Sequence, residues 1–157
     1  MPYIKSAYPK PSFLNRNSHY STIYPAKIKK YPVPDYSREK IETPDHDFLN
    51  LDWRKQSDKQ KLVILFHGLE GDSKRTYLNS CSDYFYQKGF SVLAWNHRSC
   101  GGEMNKTCTL YHHGSINDVN SVVEKALSED YKEIYLIGYS MGGALVLNYL
   151  GSYTIDE

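Results

Sequence analysis

The segment Gly138-Tyr139-Ser140-Met141-Gly142-Gly143 is where residue type and spacing could do covalent chemistry. A serine hydroxyl is a weak nucleophile unless the fold presents it, and Gly-x-Ser-x-Gly suits a sharp strand-to-helix turn that lifts it above a sheet edge. The small flanking residues let neighbouring backbone pass close by. A serine so placed attacks acyl carbons, and the oxygen that becomes negative needs two backbone N–H donors aimed at it. The residue after the nucleophile, Met141, supplies one. The loop Phe66-His67-Gly68-Leu69-Glu70-Gly71 supplies the other, with Leu69 the candidate. The helix start behind Ser140 adds a partial positive charge. The bland alternative is a surface serine on a glycine-flanked turn.

Such a serine also needs a base and an acid to orient that base. Only seventeen residues follow Ser140, and Asp156 and Glu157 are the only acids among them. Both are expected beyond the far end of the helix, remote from the hydroxyl. His67 sits at a strand end before a glycine, where it suits holding the loop better than moving a proton. His112 and His113 lie on a loop that could approach the same sheet edge as surrogate bases. The expectation is that the triad acid and histidine are not in this chain.

These residues need a frame, and the apolar pattern supplies one. Leu62–Phe66, Phe90–Trp95 and Ile134–Ile137 read as buried strands, since continuous apolar runs suit a sheet covered on both faces. A helix of about three turns is expected after Asp72 or Ser73, with Tyr77, Leu78, Cys81, Tyr84 and Phe85 inward and Gly89 as its stop. Ser115 and Asp118 form a near capping box for a second helix carrying Ile116, Val119, Val122, Val123, Ala126 and Leu127. Met141–Leu150 is apolar nearly all round and should be buried. Tyr36–Thr43 and Phe48–Trp53 flank turn residues and read as an antiparallel hairpin. Alternating strand and helix gives an α/β fold with parallel strands and crossover helices.

Composition divides the chain. All seven prolines fall at or before Pro44, and all ten glycines at or after Gly68. Residues 1–34 carry six Lys or Arg and no acid, and read as an extended Pro/Tyr-rich basic arm ahead of a domain over residues 35–157. The arm either packs through Tyr20, Ile23, Tyr24 and Tyr31 or offers its basic residues to an anionic surface. A net charge of +1 argues against a nucleic-acid partner. Cys81, Cys100 and Cys108 lack metal-ligand spacing and read as free thiols of a reducing compartment. With no signal-peptide pattern and no run long enough to cross a bilayer, the expected location is cytoplasmic.

His67-Gly68-Leu69-Glu70-Gly71, Trp95 to Glu103, Tyr111-His112-His113-Gly114 and the serine motif occur in that order. Together with Asn17–Pro25 and Pro44–Trp53 they make the chain resemble the YheT-like family of α/β hydrolases, predicted esterases and lipases. His97-Arg98-Ser99 departs from an aromatic, Arg and Gly, and Asn117 precedes Asp118 where two acids are usual. The resemblance implies the N-terminal half of an α/β-hydrolase fold, since the family continues for about as many residues again and carries its acid and histidine there. It implies loop-supporting roles for His67, His112 and His113, and no cofactor or metal. It also implies hydrolysis of small-molecule acyl esters through Ser140 and an acyl-enzyme, weak or absent in these 157 residues alone. Two alternatives stand beside it. One is thioester or amide hydrolysis on the same elbow. The other is a non-catalytic or split half whose bare edge at Ile134–Ile137 takes a second chain.

Overall fold

The computed structural model describes residues 9–152, apart from the side chains of Ala26 and Lys27. They fall into two compact units divided after Tyr31. In the first, the Asn17 side chain accepts from the Tyr20 N–H at 3.1 Å and opens helix α1 (Ser18–Ile23). The helix then widens into a π turn over Tyr24–Ile28, closed by Lys29 N–H on Tyr24 C=O at 2.8 Å. This segment is helical where an extended arm was expected. Pro25 has no N–H to give and its ring crowds the carbonyl one turn back, and a wider turn accommodates both. Tyr20 and Tyr24 stack with ring centroids 5.0 Å apart. Of the four expected anchors, Tyr20 and Tyr31 are half-buried while Ile23 and Tyr24 are exposed.

The second unit is built on a five-stranded sheet. Its strands are β1 (Ser37–Glu42), β2 (Phe48–Arg54), β3 (Lys61–Phe66), β4 (Ser91–Asn96) and β5 (Glu133–Gly138), in the order β1-β2-β4-β3-β5. β1 and β2 form the expected antiparallel hairpin, and β2 pairs antiparallel with β4. β3 runs parallel to both β4 and β5, with Leu65 opposite Ala94 on one side and Ile137 on the other. Helices α2 (Thr76–Gln87) and α3 (Ile116–Leu127) make the crossovers, and α4 (Met141–Ser152) follows β5.

Side chains alternate across β3 with period two and so feed two cores. Leu62, Ile64 and Phe66 join Val119, Val122 and Ala126 of α3 and Met141, Leu145 and Tyr149 of α4. Val63 and Leu65 meet Leu78 of α2 on the opposite face. The helices therefore cover both faces of the parallel strands, as continuous apolar runs require.

Several details differ from expectation. Tyr77 and Tyr84 of α2 and Leu127 of α3, expected on the inward faces, are exposed. Neither Asp72 nor Ser73 caps α2, whose N-cap is Arg75 with no side-chain bond. Ser73 is buried and donates its hydroxyl to Asp52 instead. Ser115 is the N-cap of α3 but its hydroxyl accepts from His112 N–H at 2.9 Å, and Asp118 pairs with Arg98. β5 is only partly buried because it is the edge strand, and α4 leaves Leu147 and Leu150 exposed. Gly89 does end α2, at a φ of +85° that few other residues tolerate.

Candidate active site

Ser140 lies between β5 and α4 with φ at +53°, a left-handed conformation that a non-glycine residue adopts only when its surroundings hold it there. Tyr139 N–H bonds Phe66 C=O at 3.0 Å, fixing the turn against the end of β3. A Cβ on Gly142 would fall 2.5 Å from Phe66 O and 2.6 Å from His67 O, so only glycine lets α4 start this close. Ser140 C=O accepts from Gly143 and Ala144 N–H, and the Ser140 side chain stays exposed. As the first helical residue, Met141 has no carbonyl one turn back, and its N–H meets no acceptor among the described residues.

The loop after β3 stands beside this turn. A Cβ on Gly68 would lie 3.2 Å from Ser140 Cβ. Gly71 N–H closes the loop onto Gly68 C=O at 3.0 Å, with Glu70 at φ +53°. Gly68 N–H donates to the Tyr77 hydroxyl at 3.1 Å, and Glu70 N–H to the Tyr111 hydroxyl at 3.0 Å. Leu69 N–H, between them, meets no acceptor among the described residues, and the Leu69 side chain is exposed.

His67 is fully buried beneath the loop. Its Nε2 lies 3.0 Å from His97 N–H, so it must accept, and Nδ1 carries the proton to Gly68 C=O at 2.7 Å. His97 Nε2 in turn donates to His67 C=O at 3.0 Å. Burial pushes both imidazoles below their ordinary pKa, His97 to about 3 with the neighbouring His67 adding to the effect. Both are neutral pins, and His67 has no nitrogen left for Ser140. His97 stacks on Tyr111 with ring centroids 5.0 Å apart and planes nearly parallel, and so ties the Tyr111 loop to the same pair.

His112 and His113 are exposed. His112 Nδ1 accepts from Gly114 N–H at 3.0 Å and His113 C=O accepts from Asn148 of α4 at 2.9 Å. Among the described residues no imidazole or carboxylate hydrogen-bonds Ser140, and Asp156 and Glu157 lie outside them. The cysteines are free, Cys81 and Cys100 half-buried and Cys108 exposed. Among the described residues no group of three or more metal-ligating side chains could hold an ion.

The sequence reading missed two ion clusters that brace these loops. Arg98 holds Asp118 at 2.7 and 2.8 Å and Asp45 at 2.7 and 3.0 Å. Hydrogen bonds from Arg98 and Thr43 pull Asp45 down to about 2. Burial pushes Asp47 up, but hydrogen bonds from Thr107, Lys106 and Asn105 overcome it and hold the carboxyl far below its usual range. Arg38 forks onto Asp52 at 2.7 Å, where Ser73 and Asn96 also converge. The signal available was the acid-rich Asp45-His46-Asp47 turn together with Arg98. Ser99 occupies φ +62°, a left-handed conformation that favours glycine.

Ser140 thus stands left-handed between a strand and a helix, with an N–H unpaired among the described residues on each side. A family model described as serine aminopeptidase, S33 (Hydrolase_4), matches residues 57–156. The chain belongs to the Hydrolase_4 family of α/β hydrolases. This Hydrolase_4 chain is 26% identical over 134 residues to YheT of Escherichia coli (strain K12), whose own esterase name is provisional, covering 83% of this chain and 39% of that protein. It is 30% identical over 133 residues to phospholipase ABHD3 of Bos taurus, covering 79% of this chain and 32% of that one. The fold matches the Pyrococcus furiosus esterase Pf2001 with a TM-score of 0.59 at 27% identity, over 71% of this chain and 44% of that chain. The chain thus spans about a third to two fifths of the length of the curated relatives it matches. Its relatives are esterase- and lipase-like, and the architecture is that of an N-terminal part of their fold. No helix among the described residues is long and apolar enough to cross a membrane.

Proposed function

We propose that Ser140 is the nucleophile of a carboxylic-ester hydrolase. Its hydroxyl attacks the acyl carbon of a small-molecule ester and the backbone N–H groups of Leu69 and Met141 take the oxyanion. The tetrahedral intermediate collapses with loss of the alcohol, and water then releases the acid from the acyl-enzyme. The observation that carries this reading is the left-handed φ of Ser140 at the junction of β5 and α4, beside a loop with an unpaired donor. The proton from Ser140 goes to a histidine, oriented by an acid, supplied by polypeptide beyond these 157 residues. Ester hydrolysis is preferred over thioester or amide cleavage because the esterase, phospholipase and lipase names of the relatives point to esters.

In the full natural polypeptide, Ser140→Ala should abolish p-nitrophenyl butyrate hydrolysis. Retention of wild-type turnover by that variant would refute the assignment. A second reading draws on the open edge of β5. There Ile134 and Leu136 with Val123, Leu127, Tyr149 and Leu150 line an apolar hollow of about 450 Å³. A strand of further polypeptide, in the same chain or a second one, would cover it and complete the site.

A further inference from the structure

Resting on the assignment of Ser140, Leu69 and Met141 above, we propose that Tyr77 and Tyr111 are positioning residues that select Leu69 as the oxyanion donor. Three consecutive N–H groups, those of Gly68, Leu69 and Glu70, sit on a loop close to the nucleophile. Any of them could turn toward a developing oxyanion. The outer two are engaged by tyrosine hydroxyls, at 3.1 Å for Gly68 and 3.0 Å for Glu70. Only the middle one is left free.

The two hydroxyls come from different places, so the clamp is not a by-product of one local turn. Tyr77 is in the first turn of α2, its ring 4.8 Å from that of Tyr139, the residue before the nucleophile. Tyr111 stacks on buried His97, whose ring and backbone both bond His67 at the root of the loop. Glu70 is the strained residue of the loop, and it is held from both sides. Tyr111 takes its N–H and the Arg75 guanidinium donates to its C=O. Without the Tyr111 hydroxyl, Glu70 can relax from its left-handed backbone and carry the adjoining Leu69 peptide with it. An oxyanion donor displaced by a fraction of an ångström loses much of its value, because the interaction counts only where charge develops.

The test uses the full natural polypeptide, with Tyr77→Phe and Tyr111→Phe, which keep each ring and remove only the hydroxyl. Active sites are first titrated with a fluorophosphonate, so that turnover is counted per competent serine. The expected result is a fall in kcat of about tenfold or more for each variant, with KM changed less than twofold. A trifluoromethyl ketone transition-state analogue should weaken by the same factor as kcat/KM. Amide exchange of Gly68 and Glu70 should also speed up in the matching variant. A general loss of folding would lower the titrated fraction without this split. If both variants keep kcat and analogue affinity within twofold of wild type while Ser140→Ala is inactive, the clamp is wrong and the nucleophile stands. If Ser140→Ala remains active, the underlying assignment fails first, and the clamp with it.

Discussion

Ser140 holds a left-handed φ of +53°, and His97 is buried as a neutral imidazole. The serine was legible in the sequence because glycine spacing and an apolar strand before it leave few other structures. The roles of the histidines were only half legible. His67 is spent on structure, as its place before Gly68 suggested, but nothing in the sequence pairs it with His97 thirty residues on. That pair makes a pH prediction. Both imidazoles have folded pKa values below the ordinary one, His97 at about 3. Well above about pH 6.5 neither state holds a proton, so their contribution to stability is complete there. As pH falls the unfolded chain takes up protons that the folded chain refuses, and stability drops by up to about 1.4 kcal/mol per pH unit for each histidine. Urea midpoints measured from pH 7 to 4.5 should fall steadily, and His97→Phe, which keeps the stack on Tyr111, should make that fall shallower. An unchanged slope in that variant would show that His97 is not the buried neutral group. Below about pH 4 the depressed carboxyls of Asp45, Asp47 and Asp52 should steepen the loss, since their contribution disappears as they are protonated.

At the scale of elements, periodicity located every strand to within about a residue or two. The hairpin, the buried β3 and β4, and the stop at Gly89 all follow from local chemistry. Helix starts were less legible, because the residues expected as caps were claimed by partners far along the chain: Ser73 by Asp52, Asp118 by Arg98. A side chain that can cap can also brace a distant loop, and sequence does not reveal which it does. The junction of β3 with α4 is tightly packed. Gly142→Ala would drive a methyl into the carbonyls of Phe66 and His67. Overpacking of this kind costs about 1–3 kcal/mol. The expected outcome is a urea midpoint lowered accordingly, together with loss of fluorophosphonate labelling. A variant of wild-type stability and labelling would mean that α4 does not start where it is placed here.

For the molecule as a whole, the sheet's β5 edge decides behaviour. Its outer N–H and C=O groups are unpaired by any described strand, and an apolar hollow lies beside it. Long apolar edges invite pairing with other chains. The 157-residue chain should therefore self-associate with rising concentration in size-exclusion chromatography, and Tyr135→Lys, at an exposed edge position, should shift it toward monomer. A single monomer peak at all concentrations would contradict that. Family membership was legible from motifs spread along the chain, whereas the widened helix at Pro25 was not. A proline-rich composition says what a segment lacks, not which turn will absorb the loss.

The most direct test is where a fluorophosphonate attaches in the full natural polypeptide, read by peptide mass spectrometry. One adduct is expected, on the peptide holding Ser140, formed in step with loss of esterase activity and absent from Ser140→Ala. An adduct on another serine, with activity lost and Ser140 unmodified, would contradict it.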